Sequence, residues 1–296
     1  MGQISSKLKK EIIKFRSKRI IQIENLYKAK AMSIASMQSF KTINDLNDLE
    51  PVHAIYVSTQ HLVSYLAELF SILPLFNEYY DKAIYVEDEY MPDGPPISPL
   101  TRSYFTCWAF FDLTFGKDKE TMGTCIIDSG EELEISAEYI EIIKLMQKSR
   151  MGLYEHLGEK KGVFHLKELF TDKEYKCIVP SGYKGTKKEL WFVRIFPAIT
   201  KLGEENIVFN TPYVLPSSDK KEWMLYFDRT IKNMNDDIEP NTFTRHLKYE
   251  ELMKYGLSTN YWSEYLFLAF YNSIKTAIFL RGIPDIYESF PQNEEE

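Results

Sequence analysis

Arg150 occupies a position where an apolar side chain is expected. Tyr139, Ile143, Met146, Leu153 and Leu157 follow an alternating four-three spacing, and residue 150 completes the series. A guanidinium on a buried seam must meet a carboxylate or lose its hydration at a cost of several kcal/mol. Asp112, the one acid in the apolar stretch 107–115, is the first candidate partner, and Glu87 to Glu89 are the second. A buried Arg150–Asp112 pair would fix the packing of a helix on a hairpin. The competing use of the same cation is an anion-binding or catalytic pocket built from Arg150, Arg102, Tyr154, Glu155 and His156, the last three lying just after Gly152. Chemistry of that kind would make the chain a hydrolase or a nuclease-like enzyme.

Carboxylates offer a second possibility. Glu78, Asp81, Glu87, Asp88, Glu89 and Asp93 crowd one segment, and Glu87, Asp88 and Asp93 could hold Mg²⁺, a hard cation that takes oxygen ligands and keeps several waters. The same acids beside Tyr, Pro and Gly also describe a solvated surface loop. His53 and His61 lie eight residues apart on one expected helix. At 1.5 Å per residue that is about 12 Å, too far for two ligands of one tetrahedral metal. The run Ser181-Gly182-Tyr183-Lys184-Gly185 could wrap an anion with backbone N–H groups, or form an ordinary hairpin loop. Nucleotide-cradling, zinc-protease, nucleophile-elbow and paired-cysteine motifs are absent.

Charge is unevenly placed in this 296-residue chain of net charge −7. Residues 1–32 carry an excess of seven positive charges, so the remainder carries −14. Attraction to an anionic membrane surface or nucleic acid is therefore expected only through this arm, where Lys7, Lys9, Lys10, Lys14, Lys18 and Arg19 are the binding candidates. Gly2 and Ser6 fit an N-myristoylation pattern, and the adjacent lysines would supply the second signal that stable membrane residence needs.

The elements that must position these residues follow from periodicity. The expectation is an α+β protein in four regions: a basic helical arm (1–50), a helix-loop-hairpin-helix region (51–161), a small four-stranded β-barrel-like unit (162–216) and a C-terminal helical region (217–296). A helix is expected over 7–31 and another from Pro51, limited by Pro74. Residues 79–102 read as a long constrained loop, 104–115 and 123–128 as two strands, and 136–158 as the helix that carries Arg150. Strands are expected at 163–169, 174–179, 190–197 and 206–215. Helices follow at 219–233, 247–254 and 258–281, the last closed by Gly282 and Pro284. No apolar run reaches the ~18 residues a spanning helix needs, and the start has no signal-type apolar segment. Cys107, Cys125 and Cys177 share no motif spacing and read as buried small hydrophobes in a reducing compartment. A cytoplasmic protein, with a peripheral membrane association if Gly2 is acylated, is the corresponding expectation.

The wording FNEYYD, EDEYMPDGPPISPLTRSYFTCWAFFDLTFG, ETMGTC, SRMGLYEH, LKELFTDKEYKC, SGYKG, ELWFVRIFP and TPYVL resembles a family of uncharacterised bacterial proteins over residues 49–215. The resemblance implies that acidic loop, hairpin, helix and β unit occur together, and it implies no activity. On these grounds the expected function is that of a non-catalytic binding or assembly protein whose basic N-terminal helix engages an acidic or anionic partner, in the first place a protein. No cofactor is expected for it; Mg²⁺ belongs to the enzyme alternative.

Overall fold

The computed structural model describes residues 1–17, 50–90, 99–209, 211–216, 219–234, 242–256, 265–266 and 268–290. They form two compact units, residues 1–84 with 105–148 and residues 85–104 with 149–296. The protein is α+β, and its helices and strands are divided unequally between the two.

The first unit is helical. It draws on α1 (Gln3–Ser17), α2 (Pro51–Phe70), a 3₁₀ turn (Pro74–Phe76), parts of α3 (Asn77–Tyr90) and α4 (Pro99–Phe111), α5 (Met122–Asp128) and α6 (Ala137–Lys148). The expected start of α2 at Pro51 holds, because Glu50 caps it by accepting the His53 N–H at 2.7 Å and proline fits the first turn. Its buried stripe runs through Val52, Tyr56, Val63, Leu66 and Phe70. Phe70 stacks on Phe76 with ring centroids 5.1 Å apart.

The expected hairpin at 104–128 is a pair of helices instead. Tyr104, Cys107 and Phe111 are buried at helical spacing on α4, and Thr121 and Thr124 close a reciprocal capping box at the start of α5. Strand-favouring aromatics are overridden by helical burial. Only the tight turn joining Phe115 to Glu120 is β-bridged. The acidic run also departs from expectation: Glu78, Asp81, Glu87, Asp88 and Glu89 sit on helix α3, not in a loop. Asp93 lies outside the described residues, as do Lys18, Arg19 and the end of the helix expected to reach residue 31.

The second unit is built on a sheet of β1 (Met151–Lys160), β2 (Val163–Glu168), β3 (Glu174–Ile178), β4 (Leu190–Phe196), β5 (Asn206–Val208), β6 (Tyr213–Leu215), β7 (Phe270–Ile274) and β8 (Ala277–Leu280). β1 pairs with β2 and β4, β2 with β3, β3 in parallel with β5, and β5 with β4, which closes a five-stranded barrel. The fifth strand is β1, and its segment was expected to be helical. Residues 146, 150, 153 and 157 satisfy a helical period, but Tyr154 and His156 alternate as strand residues, and pairing on both sides decides the outcome. The helix therefore ends at Lys148 and Arg150 stands in the link to β1. The strand expected at 206–215 is divided into β5 and β6, which pair with opposite ends of β4.

Tyr154, Phe164, Leu166, Cys177, Trp191 and Val193 form the barrel core. On the other face, Leu153, Phe192, Tyr213 and Leu215 share a core with Trp223 and Phe227 of α7 (Lys220–Asn233) and with Tyr249 and Leu252 of α8 (Thr242–Tyr255). The helix expected over 258–281 is replaced, from Phe270 on, by the β7–β8 hairpin, because β8 finds a parallel partner in β6. Among the described residues no helix is long and apolar enough to cross a membrane.

Candidate functional site

Among the described residues, a dense group of polar contacts lies at the end of the barrel where β1 begins and β2 finishes. Arg150 donates from Nη1 to Glu168 Oε1 at 2.7 Å and from Nη2 to Glu168 Oε2 at 3.2 Å, a forked pair across the link and β2. The same guanidinium binds Glu250 of α8 through Nε and through Nη2, the latter at 2.6 Å. Nη1 also reaches the Met151 carbonyl at 2.9 Å, and the Tyr249 ring lies 5.1 Å from the guanidinium carbon. Glu168 is fully buried, and it accepts from Thr171 Oγ1 at 2.6 Å and Tyr249 OH at 3.2 Å. Every donor available to Arg150 and every lone pair exposed by burying Glu168 is thus directed at a partner, the condition under which a buried ion pair is tolerated.

Gly152 makes this approach possible. A Cβ there would lie 2.6 Å from the Tyr154 hydroxyl and 2.7 Å from Glu168 Oε1. Electrostatics agree with the geometry. Burial would raise the Glu250 carboxyl, but its hydrogen bond from Arg150 and that residue's charge outweigh burial and hold it below the ordinary value. Burial opposes the Arg150 cation, yet Glu250 and Glu168 more than compensate and fix the charge. Tyr154 and Tyr249 are pushed well up, first by burial and then by the Glu168 charge, so both remain protonated donors.

Asp112, expected as the partner of Arg150, lies in the other unit, buried in the turn after α4, and the carboxylates that take the guanidinium are Glu168 and Glu250. The other members of the expected pocket have separate neighbours. His156 is buried in the barrel with its ring stacked on Trp191 at 4.9 Å and its Nδ1 2.9 Å from the Thr186 carbonyl. Glu155 pairs with Lys220, and the exposed Arg102 pairs with Glu87 at 3.3 Å. The structure brings Arg150 together with none of His156, Glu155 or Arg102 in any hydrogen bond, ion pair or ring contact described. Among the described residues, no group of three or more His, Cys, Asp or Glu side chains is placed to hold a metal ion.

Three residues of the cluster, Glu168, Tyr249 and Glu250, were not singled out in the sequence. Glu168 was detectable: it follows Phe164 and Leu166 in the buried phase of β2, where an acid demands a cation. Glu250 had no comparable signal, since its place depends on how α8 docks. Arg194, also buried, donates to the Ser149 hydroxyl and carbonyl at 2.8 Å each. The loop 181–185 lies against an anion of the same chain: Glu189 accepts from Thr186 Oγ1 at 2.9 Å and from Tyr183 OH and Trp191 Nε1 at 3.2 Å each.

In the helical unit, Glu120 caps the start of α1. It accepts from the Ile4 N–H at 2.7 Å, the Ser5 N–H at 2.8 Å and the Ser5 hydroxyl at 2.5 Å, while Asp118 takes the Gln3 N–H at 2.7 Å. Gly2 abuts that carboxylate so closely that a Cβ would fall 2.1 Å from Glu120 Cδ, and Ser6 donates to the Gly2 carbonyl at 2.8 Å. Both residues of the acylation pattern thereby have packing roles. Lys9 pairs with Glu132, Arg16 with Glu134 and Lys14 with Glu11. The exposed Lys7, Lys10 and Lys14 fall on one stripe, with Leu8 and Ile12 buried behind them. No protein-family model, no curated protein and no solved structure matches this chain.

Proposed function

We propose that the protein is a binding and assembly module whose α1 presents a basic stripe, Lys7, Lys10 and Lys14, to an acidic protein partner. The observation that supports this most is the way α1 is held. Its first N–H groups are tied to Glu120 and Asp118, Ile4, Leu8 and Ile12 are buried, and Lys9 and Arg16 are occupied by Glu132 and Glu134, while Lys14 pairs with Glu11 on the helix's own outer face. A stripe on a helix fixed in this manner loses little backbone freedom on docking. The rest of the chain supports a scaffold over a catalyst, since Arg150 spends its charge on Glu168 and Glu250.

The test is capture of interacting proteins by the full chain from host extract, identified by mass spectrometry, against K7E/K10E/K14E. The expected result is an acidic protein retained by the wild type, released by added salt and lost with the reversed stripe. Equal retention by the variant contradicts the proposal.

A further inference from the structure

Six lysines gather at the end of the barrel opposite Arg150, and among the described residues none has a carboxylate partner. Lys160 and Lys161 form the β1–β2 turn, Lys176 is on β3, and Lys184, Lys187 and Lys188 belong to the loop that enters β4. Backbone bonds bring this loop alongside β1: the Lys188 N–H donates to the His156 carbonyl at 2.8 Å, and the His156 N–H to the Glu189 carbonyl at 2.9 Å. The stem of Lys187 then covers Gly158, where a Cβ would lie 2.7 Å from Lys187 Cε.

The register places the remainder. Gly158 pairs with His165 and His165 with Lys176, so the three form one row across β1, β2 and β3, and Lys160 pairs with Val163 two residues further along, on the same face. Phe164 and Leu166 point into the barrel core, so His165 and Lys176 face outward. Lys187, His165 and Lys176 therefore lie across neighbouring strands, at about 4.8 Å per strand. Three acids stand nearby, Glu159, Glu174 and Glu189; Glu189 is directed at Tyr183, Thr186 and Trp191 and Glu159 at the Gly162 N–H, so none is drawn into an ion pair with these lysines, and the six lysines outnumber them.

A chain of net charge −7 that collects an excess of lysines around an outward-facing ring has built a local positive field on an acidic body. We propose that the outer face of β1, β2 and β3, with the two lysine-bearing loops at its end, binds single-stranded nucleic acid. The lysines would track the phosphates, and the half-buried His165 ring would stack a base. Gly162 and Gly182 leave open space at the two loops, since a Cβ at either would meet nothing within 4 Å, and a backbone phosphate could approach closely. A membrane surface fits less well, because none of the exposed large hydrophobic residues among those described falls between 86 and 201 to serve as an apolar anchor. This face belongs to the barrel unit, while the stripe of α1 belongs to the helical unit, so the two proposals stand or fall separately.

The test is fluorescence anisotropy of a labelled oligo(dT) of about 15 nucleotides titrated with the full chain at several salt concentrations. The wild type is expected to bind, with an affinity that falls steeply as salt rises. K160A/K176A/K187A should weaken binding at least about tenfold and flatten the log–log salt slope by about two, at ~0.7 per lost phosphate contact. H165A should weaken binding by about tenfold with the slope unchanged, whereas K160R/K176R/K187R should retain it. K7E/K10E/K14E should bind as the wild type does. Absence of oligo(dT) binding, unchanged binding by K160A/K176A/K187A, loss only with the α1 variant, or tighter binding of polyglutamate than of oligo(dT) would each overturn the proposal. Circular dichroism of the variants excludes unfolding as the cause of any loss.

Discussion

Arg150 shows how much of a residue's meaning depends on its neighbours. Its type and its buried position were legible in the sequence, and so was the need for a carboxylate. The partner was not, because Glu168 and Glu250 reach it across 18 and 100 residues of chain. Gly152 completes the arrangement, so Gly152→Ala should cost roughly 1–3 kcal/mol by overpacking against Tyr154 and Glu168, measured by urea unfolding. Wild-type stability after that change would show that the Tyr154 hydroxyl and Glu168 can part without loss. Glu250 adds a pH dependence with a definite sign. Its carboxyl titrates below the ordinary 4.5 in the folded chain, so its contribution is present above that value and is lost as pH falls through the lowered one. The difference in Tm between wild type and Glu250→Gln should therefore shrink as pH is taken from 6 toward 3, and a constant difference would contradict the assignment.

At the level of elements, local signals were strongest where a capping group and a burial stripe agree. The start of α2 was legible from Pro51, where the structure adds the Glu50 cap, and the span of α7 was legible too, where the structure adds Asp219 accepting the Lys221 N–H at 2.8 Å. They failed where two periods fit the same letters. Residues 151–160 satisfy both a helix and a strand, and only their partners β2 and β4 decide. The same competition explains α4 and the β7–β8 hairpin, each set by burial or pairing with distant chain. α1 depends on a remote residue too. Glu120→Gln keeps the size but weakens the acceptor at the helix start, and should lower amide-exchange protection over the first two turns of α1, at a cost of about 1–2 kcal/mol. Unchanged protection would mean that the helix is held by Leu8 and Ile12 alone. Gly2→Ala is a poor probe of acylation for the same reason: the added methyl meets Glu120, so any change in behaviour mixes packing with lipidation.

For the molecule as a whole, the linear charge balance separated a basic arm from an acidic body, and it could not resolve the positive end of the barrel, where strand pairing assembles lysines that are up to 28 residues apart. The barrel itself was half legible. Its turns and four of its segments were visible, while its closure required β1 and a parallel pairing of β3 with β5 that no local pattern announces. The account rests on Arg150 being an internal staple that joins the β1 link, β2 and α8. Urea unfolding of Arg150→Met, Glu168→Met and the double variant, followed by the buried Trp191 and Trp223, tests it most directly. Each single change should cost about 3–5 kcal/mol by leaving a charge unpaired, and the double change should cost less than the sum of the two. An Arg150→Met variant within about 0.5 kcal/mol of wild type would contradict the account and return that cation to the list of groups free for catalysis.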